Sequence, residues 1–283
     1  MLDASPFFQM IELDEVNSTN SYLAGYRPPR PTDMTLVTAE YQTAGRGQTG
    51  NSWESERSQN LLFSLLLHPH SLPAAQMFVL SEAIALAIRG AIISFLNDKS
   101  VRNRPSALDV TVKWPNDIYV NDCKIGGILI ENTLRGQYID RCIIGCGVNI
   151  NQATFHSDAP NPVSLRQLLG HDVERRFVLE AIIDNFNHHY SSLQSTDSTH
   201  SSDSTVAAAA IQSSDSTVAA AAIHSTYLAA LYRRQGLHPY RLPSSPTPFF
   251  AEIADVQPSG HLILRDSSGT LHRFAFKEVS FDL

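Results

Sequence analysis

The stretch QTAGRGQTGNSW, residues 42–53, is followed within a few residues by the apolar run LLFSLLL at 61–67, and that order limits the folds open to the chain. Gly45, Gly47 and Gly50 spell GxGxxG, the pattern of dinucleotide-binding turns. The same segment fits a triphosphatase loop, with Asn51 where the phosphate-gripping lysine should stand. Both patterns require a helix next, because a helix N-terminus holds the phosphate. Residues 53–60, WESERSQN, carry no apolar stripe at helical spacing, and LLFSLLL reads as a buried strand. The glycine loop therefore joins two strands, and neither phosphate pattern applies in its usual form.

Upstream, residues 7–13 read as a strand, and Asn17 or Ser18 offers an N-cap for a helix carrying Tyr22, Leu23 and Tyr26 before RPPRP stops it. TLVTAEY at 35–41 is a further strand, and a long helix is expected over 73–98. Residues 104–151 hold four short β-rich runs broken by Pro115, Asn121-Asp122 and Arg135-Gly136, which predicts an antiparallel meander. VSLRQLLG and RRFVLEAIIDNFNHHYSSL are helical. SSDSTVAAAAI then occurs at 201–211 and again at 213–223; two copies are too few for a solenoid, so 195–224 reads as a surface insertion. TYLAALYRRQG resumes a helix ending at Gly236, RLPSSPTPFF reads as a linker, and the remaining β-rich runs predict a small barrel. The expected division is a catalytic domain over 1–236 and a second domain over 237–283.

The net charge of −7 excludes a general nucleic-acid binder, whose affinity would rest on lysines and arginines. Residues 1–16 lack a basic segment ahead of an apolar one, so no secretory signal is read and a cytoplasmic location is expected. Cys123, Cys142 and Cys146 form no CxxC pair and are read as reduced. His188 and His189 are neighbours in a helical pattern and so point apart, which makes them packed or solvated rather than metal ligands. The apolar tract 77–96 carries Glu82 and Arg89 on one helical face, as a buried helix would, and no membrane span is expected.

Chemistry concentrates where glycines meet charge at strand ends: the loop itself, KWPND…K…GGILIE, and GCGVNIN. Lys113 and Asp117 flank Pro115, and Lys124 follows an Asn-Asp turn, so two lysines and an aspartate converge on one hairpin. A lysine pair can neutralise a carboxylate and a phosphate brought together, while the aspartate can hold magnesium or orient a lysine. From spacing alone, an exposed hairpin with solvated charges reads equally well.

STN (18–20), AEYQTAGRGQTGNSW (39–53), NLLFSLLL (60–67), KWPNDIYVNDCKIGGILIE (113–131) and GCGVNIN (145–151), in this order, resemble the motif set of biotin protein ligases. The resemblance implies an α+β catalytic domain like those of class II aminoacyl-tRNA synthetases, a mixed sheet with helices, followed by a small C-terminal SH3-like β-barrel. It implies an enzyme that uses ATP and magnesium to make biotinyl-5′-AMP and passes biotin to a lysine of a biotin carboxyl carrier protein. Ser18, Thr19, Asn20, Gln42, Gly45, Arg46, Gly47, Lys124 and Gly127 would line the biotin site. Trp53, Asn116, Ile128, Gly145, Gly147 and Asn149 would form the ATP side, with Trp53 on the adenine or else in the core. Lys124, Arg46, Asp117 and Lys113 would serve catalysis, and Asp117 would be the metal ligand.

Many members of the family carry a more basic loop; here Gln48, Thr49 and Asn51 stand in place of arginines, which implies a less firmly retained adenylate. With 17 residues before STN, the chain reads as the type without a DNA-binding domain, and no DNA partner is expected. A homodimer is left open by the linear pattern. Two rival readings stand beside the ligase: a lipoate or octanoyl ligase of the same superfold, and a non-catalytic nucleotide-binding regulator.

Overall fold

The computed structural model describes residues 8–28, 32–48, 50–69, 72–97, 108–156, 161–194 and 207–282, with the backbone alone for 207–215. Thr49, Asp98 and most of the first repeat copy lie outside the described residues. Strand β1 (Phe8–Val16) leads into helix α1 (Thr19–Gly25), which returns the chain so that β2 (Met34–Gln42) runs parallel to β1. Ser18 is the N-cap, with extended backbone and no side-chain capping bond. Beyond the glycine loop, β3 (Leu61–Leu67) pairs antiparallel with β2 and is buried throughout, as its unbroken apolar run requires.

A 3-10 turn at Ala74–Gln76 and helix α2 (Phe78–Leu96) follow. Strands β4 (Val110–Lys113), β5 (Asp117–Val120), β6 (Cys123–Arg135) and β7 (Tyr138–Val148) then form the expected antiparallel meander. Because β7 pairs with β3, the sheet runs β1-β2-β3-β7-β6-β5-β4. Alternation along the central strands divides their side chains between two faces. Leu36, Phe63, Leu65 and Ile144 join the main core, under α2. Val37, Leu66 and Ile143 point the other way and pack with Leu23 of α1.

Helix α3 (Leu165–Leu169) opens with a capping box between Ser164 and Gln167 and stops at Gly170, φ +78°. Helix α4 (Arg175–Gln194) buries Val178, Leu179, Ile182, Ile183, Phe186 and Tyr190, a stripe at helical spacing. Helix α5 (Ala207–Ala229) contains the second copy of the repeat, whose Ile223 is buried in the main core with Tyr227 beside it. That copy is therefore part of the packed structure and not a detached insertion. The helix stops at Ala229 rather than Gly236. Residues 230–232 leave it to satisfy the free edge of β4, Val112 N donating to Ala230 O and Tyr232 N to Val112 O. α2 is long and apolar enough to cross a membrane, but it is mostly buried within the protein.

The C-terminal strands correct the barrel expectation. β8 (His238–Arg241), β9 (Phe249–Val256), β10 (Leu262–Asp266), β11 (Leu271–Phe274) and β12 (Ser280–Phe281) form an antiparallel sheet in the order β11-β10-β9-β8-β12. Closure would require the first and last strands of that order to pair, and β11 and β12 do not. A turn at 275–278, with Glu278 N on Ala275 O, carries the chain from β11 across to β8. The sheet is thus open, and the fold is α+β with two sheets and no barrel. The linker reading shrinks to 242–248, because Arg241 ends β8 and Phe249 begins β9.

One cluster ties α2, α5 and the second sheet together. His224 Nδ1 lies 2.7 Å from Glu82 Oε1, and its Nε2 lies 3.2 Å from Asp255 Oδ1 on β9. Burial pushes the Glu82 carboxyl up to about 7 against the opposing pull of His224. Burial disfavours charge on His224, but the hydrogen bonds and charges of Glu82 and Asp255 raise it. Both shifts leave the native state holding more protons than the unfolded chain, so stability falls as pH rises from the ordinary carboxyl range through about 7. The urea midpoint is expected to drop between about pH 5 and about pH 8, and Glu82→Gln to flatten that slope. His224→Ala, which strips Glu82 of its partner, is expected to cost about 1–3 kcal/mol at neutral pH. A wild-type midpoint that rises over this range would refute the linkage.

Candidate active site

On the α1 face, β6 and β7 lack side chains where most strands have them. Gly127 pairs with Gly147, and Leu129 with Gly145. A Cβ at Gly145 would strike the Asn20 side chain, and one at Gly147 would strike the Trp53 indole. At Gly127 it would lie 3.0 Å from the indole and 3.5 Å from Lys124 Nζ. The glycines are the floor of a cavity of about 430 Å³, and Asn20, Trp53 and Lys124 stand over it. The N-terminus of α1, residues 46–48 and 51–53 of the loop, the β4–β5 turn and residues of the segment Phe276–Phe281 wall it.

At one end, Lys124 Nζ meets Asp117 Oδ1 at 2.7 Å and lies 5.7 Å from the Trp53 ring. Asp117 is the only carboxylate on the cavity wall among the described residues. Lys113 Nζ donates to Tyr119 Oη at 3.1 Å and sits over the rings of Tyr119 and Phe281. Burial lowers the Lys113 pKa; Asp117 opposes this, while Lys124 and Arg233 add to it. Burial likewise raises Tyr119, with Asp117 adding, so its hydroxyl stays protonated. Trp53 Nε1 is buried without a hydrogen-bond partner, an unmet donor inside the cavity. The sequence reading thus places both lysines and Asp117 together.

At the other end, Gln42 Oε1 accepts from Thr19 N at 2.7 Å and from Thr19 Oγ1 at 3.1 Å. Buried Ser64 Oγ lies 2.7 Å from Thr19 Oγ1 and 2.6 Å from Asn20 Oδ1. Asn20 Nδ2 donates to Glu131 Oε2 at 2.8 Å and to Leu129 O at 3.3 Å. Arg46 embraces the same carboxylate with both nitrogens, at 2.7 and 3.2 Å. Its guanidinium is therefore committed here and not beside Lys124.

Ser18, Gly47, Asn116 and Ile128 line the cavity as expected. Asn116 also supports the floor, its Nδ2 donating to Ile128 O at 2.5 Å and its O accepting from Ile128 N at 2.9 Å. Gly45 and Asn149 are not on the wall. Gly45 closes the neck of the loop, where its O accepts from Trp53 N at 3.0 Å. Asn149 is buried and holds the chain at Val163 through Nδ2. Glu131, Ser64 and Phe276–Phe281 were not legible as site residues. Period-two alternation from Gly127 would have reached Glu131, and a lone hydroxyl in LLFSLLL marked Ser64; nothing marked the C-terminal segment.

Residues 13–149, which supply most of this wall, match the Biotin/lipoate A/B protein ligase family. The match covers just under half of the chain, which is similar to that family there. Among curated relatives the chain is 31% identical over 183 residues to the bifunctional ligase/repressor BirA of Bacillus subtilis, covering 63% of this chain and 51% of that one. It is 33% identical over 156 residues to the biotin–[acetyl-CoA-carboxylase] ligase of Paracoccus denitrificans, covering 53% and 60%. The match thus spans about half the length of such relatives. A solved biotin protein ligase of Aquifex aeolicus, in complex with biotin and ATP, superposes with a TM-score of 0.68 at 19% identity, covering 96% of this chain and 97% of that one, a likeness of fold. That of Leishmania major, in complex with biotinyl-5-AMP, gives 0.59 at 25% identity over 96% and 100%.

The glycine floor is testable directly. Gly145→Ala should displace Asn20 from Ser64 and Glu131 and cost about 1–3 kcal/mol in denaturant unfolding. Gly25→Ala, whose Cβ meets nothing within 4 Å, should leave the midpoint unchanged or slightly raised. Equal midpoints for both variants would show that the Asn20 contacts contribute nothing.

Proposed function

We propose that the protein is an ATP-dependent biotin ligase, which activates biotin as biotinyl-5′-AMP and transfers it to a lysine of a biotin carboxyl carrier protein. The observation that carries this reading is the cavity's polarity. A lysine–aspartate pair 2.7 Å apart stands at one end of a side-chain-free floor, and a network of amides and hydroxyls stands at the other. An acid with an uncharged polar ring and an apolar chain fits that layout. The names printed for the Paracoccus relative and the Leishmania complex support the same substrate.

In the first step an oxygen of the biotin carboxylate attacks the α-phosphorus of ATP, and pyrophosphate leaves with the electron pair of the broken P–O bond. Two anions must approach, so fixed positive charge is required. Lys124 supplies it by exchanging Asp117 for the ligand oxygens, and Lys113 adds charge from the end of β4. Trp53 offers a flat face and an unmet Nε1–H beside this point. In the second step the acceptor lysine amine attacks the acyl carbon and AMP leaves.

The donor set fits magnesium only as a companion of the triphosphate. No group of three His, Cys, Asp or Glu among the described residues could hold a metal, and magnesium commonly binds through one carboxylate and phosphates. Asp117 would be that carboxylate, and the ion would supply charge to the phosphates. The open second sheet brings Phe276–Phe281 to the same cavity, which gives that segment a role in closing it.

Magnesium-dependent ATP–pyrophosphate exchange should require biotin and be competed by biotin in preference to lipoate. Transfer to a purified carrier domain should follow on an avidin blot. Lys124→Ala should cut exchange by about 10²-fold to 10³-fold while the thermal midpoint is retained. Near wild-type exchange in that variant would remove Lys124 from the mechanism, and competition by lipoate alone would favour the lipoate branch of the family.

A further inference from the structure

At the end of the cavity away from Lys124, Arg46 is paired with Glu131. Gly127, Leu129 and Glu131 share one face of β6, opposite Gly147, Gly145 and Ile143 of β7. At about 3.3 Å per residue, Glu131 stands about 13 Å along the strand from Gly127. The floor therefore runs from Lys124 and Asp117 toward Asn20 and Arg46, and Glu131 stands behind that pair, off the cavity wall. There one carboxylate receives Arg46 through two hydrogen bonds and Asn20 through a third, while Asn20 Oδ1 faces Ser64. Arg46 and Glu131 remain half-exposed, so the pair forms a closure between loop and strand rather than a buried ion pair.

From these contacts we infer that Glu131 is a positioning and specificity-determining residue for the acid. It holds Arg46 and Asn20 at the end opposite Lys124, and so fixes both the length of the ligand and the charge its far end can carry. With Nδ2 committed to Glu131 and to Leu129 O, the Asn20 amide has one orientation and presents a fixed pattern to a polar ring. The Glu131 carboxylate neutralises Arg46, which does line the cavity. A second carboxylate arriving there finds no uncompensated cation and approaches a cation already paired with a carboxylate. The site thus selects acids with an uncharged head over diacids of the same length. The identity of that acid as biotin rests on the proposed ligase activity; the latch between loop and strand does not.

Glu131→Gln and Glu131→Asp, with wild type, test this in three measurements. The KM for biotin in pyrophosphate exchange should rise about 10-fold in Glu131→Gln, with kcat within about 2-fold and the KM for ATP unchanged. Azelate, a linear nine-carbon diacid, should compete with biotin in Glu131→Gln, where Arg46 is left uncompensated, and not in wild type. Glu131→Asp, which keeps the charge, should stay insensitive to azelate, an outcome a merely structural role would not produce. Hydrogen exchange of residues 43–53 in the ligand-free protein should quicken in Glu131→Gln. Unchanged biotin KM, absent azelate competition and unchanged loop exchange in the folded variant would overturn the assignment. Absence of biotin-dependent exchange in wild type would overturn the biotin reading, while the loop exchange would still decide whether Glu131 is the latch.

Discussion

Two positions on the central strand β7 tolerate no side chain, and the site exists because of them. Gly145 and Gly147 lie between β3 and β6, paired with Ser64 and Leu62 on one side and with Leu129 and Gly127 on the other. In a sheet buried on both faces, a side chain at each would fill the space that Asn20 and Trp53 now occupy. The opposite face of the same strands is ordinary packing, with Ile144 and Phe63 under α2. One β-strand thus contributes a hydrocarbon core to one side and a bare floor to the other, and strand alternation alone sorts the two.

What stands over the floor comes from distant parts of the chain. α1 delivers Thr19 and Asn20, which are fixed by Gln42 at the end of β2 and Ser64 within β3. The loop delivers Trp53, and its far stem is anchored where Asn60 Nδ2 donates to Gln152 Oε1 at 2.6 Å and Ile150 N donates to Asn60 Oδ1 at 2.9 Å. The β4–β5 turn delivers Lys113 and Asp117, and the start of β6 delivers Lys124. Thr19, Asn20, Ser64, Asn60 and Gln152 are buried polar groups with named partners, and such groups cost free energy to desolvate unless paired. That is why the motif residues recur as a set of strand ends and caps rather than as one continuous segment.

The elements of the first sheet were legible because their signals are local. LLFSLLL is too short for a helix, Pro115 and Asn121-Asp122 punctuate the meander, and the stripe of α4 repeats at helical spacing. The lysines and Asp117 could be grouped because three consecutive short strands, β4, β5 and β6, carry them. Three features were not legible, for different physical reasons. Closure of the last sheet depends on whether β11 meets β12, a contact between strands with no shared turn. The end of α5 is decided by the unpaired edge of β4, more than a hundred residues away in sequence. The loop position marks Arg46 as a ligand-facing cation and it does line the cavity, but its pairing with Glu131 was not legible, because the register of β6 sets that partner.

The repeat has a consequence for how the gene can change. The two twelve-residue units are alike except at their last position, Gln212 in the first and His224 in the second. Among the side chains described, those that anchor α5, from Ala220 and Ile223 to His224 and Tyr227, lie in the second unit or beyond it. Identical tandem units invite slippage during copying, which adds or removes whole units. A gain or loss of whole units upstream of these anchors leaves the docked face in register. The histidine that ends the second unit, held between Glu82 and Asp255, marks the part of the repeat that such a change must keep.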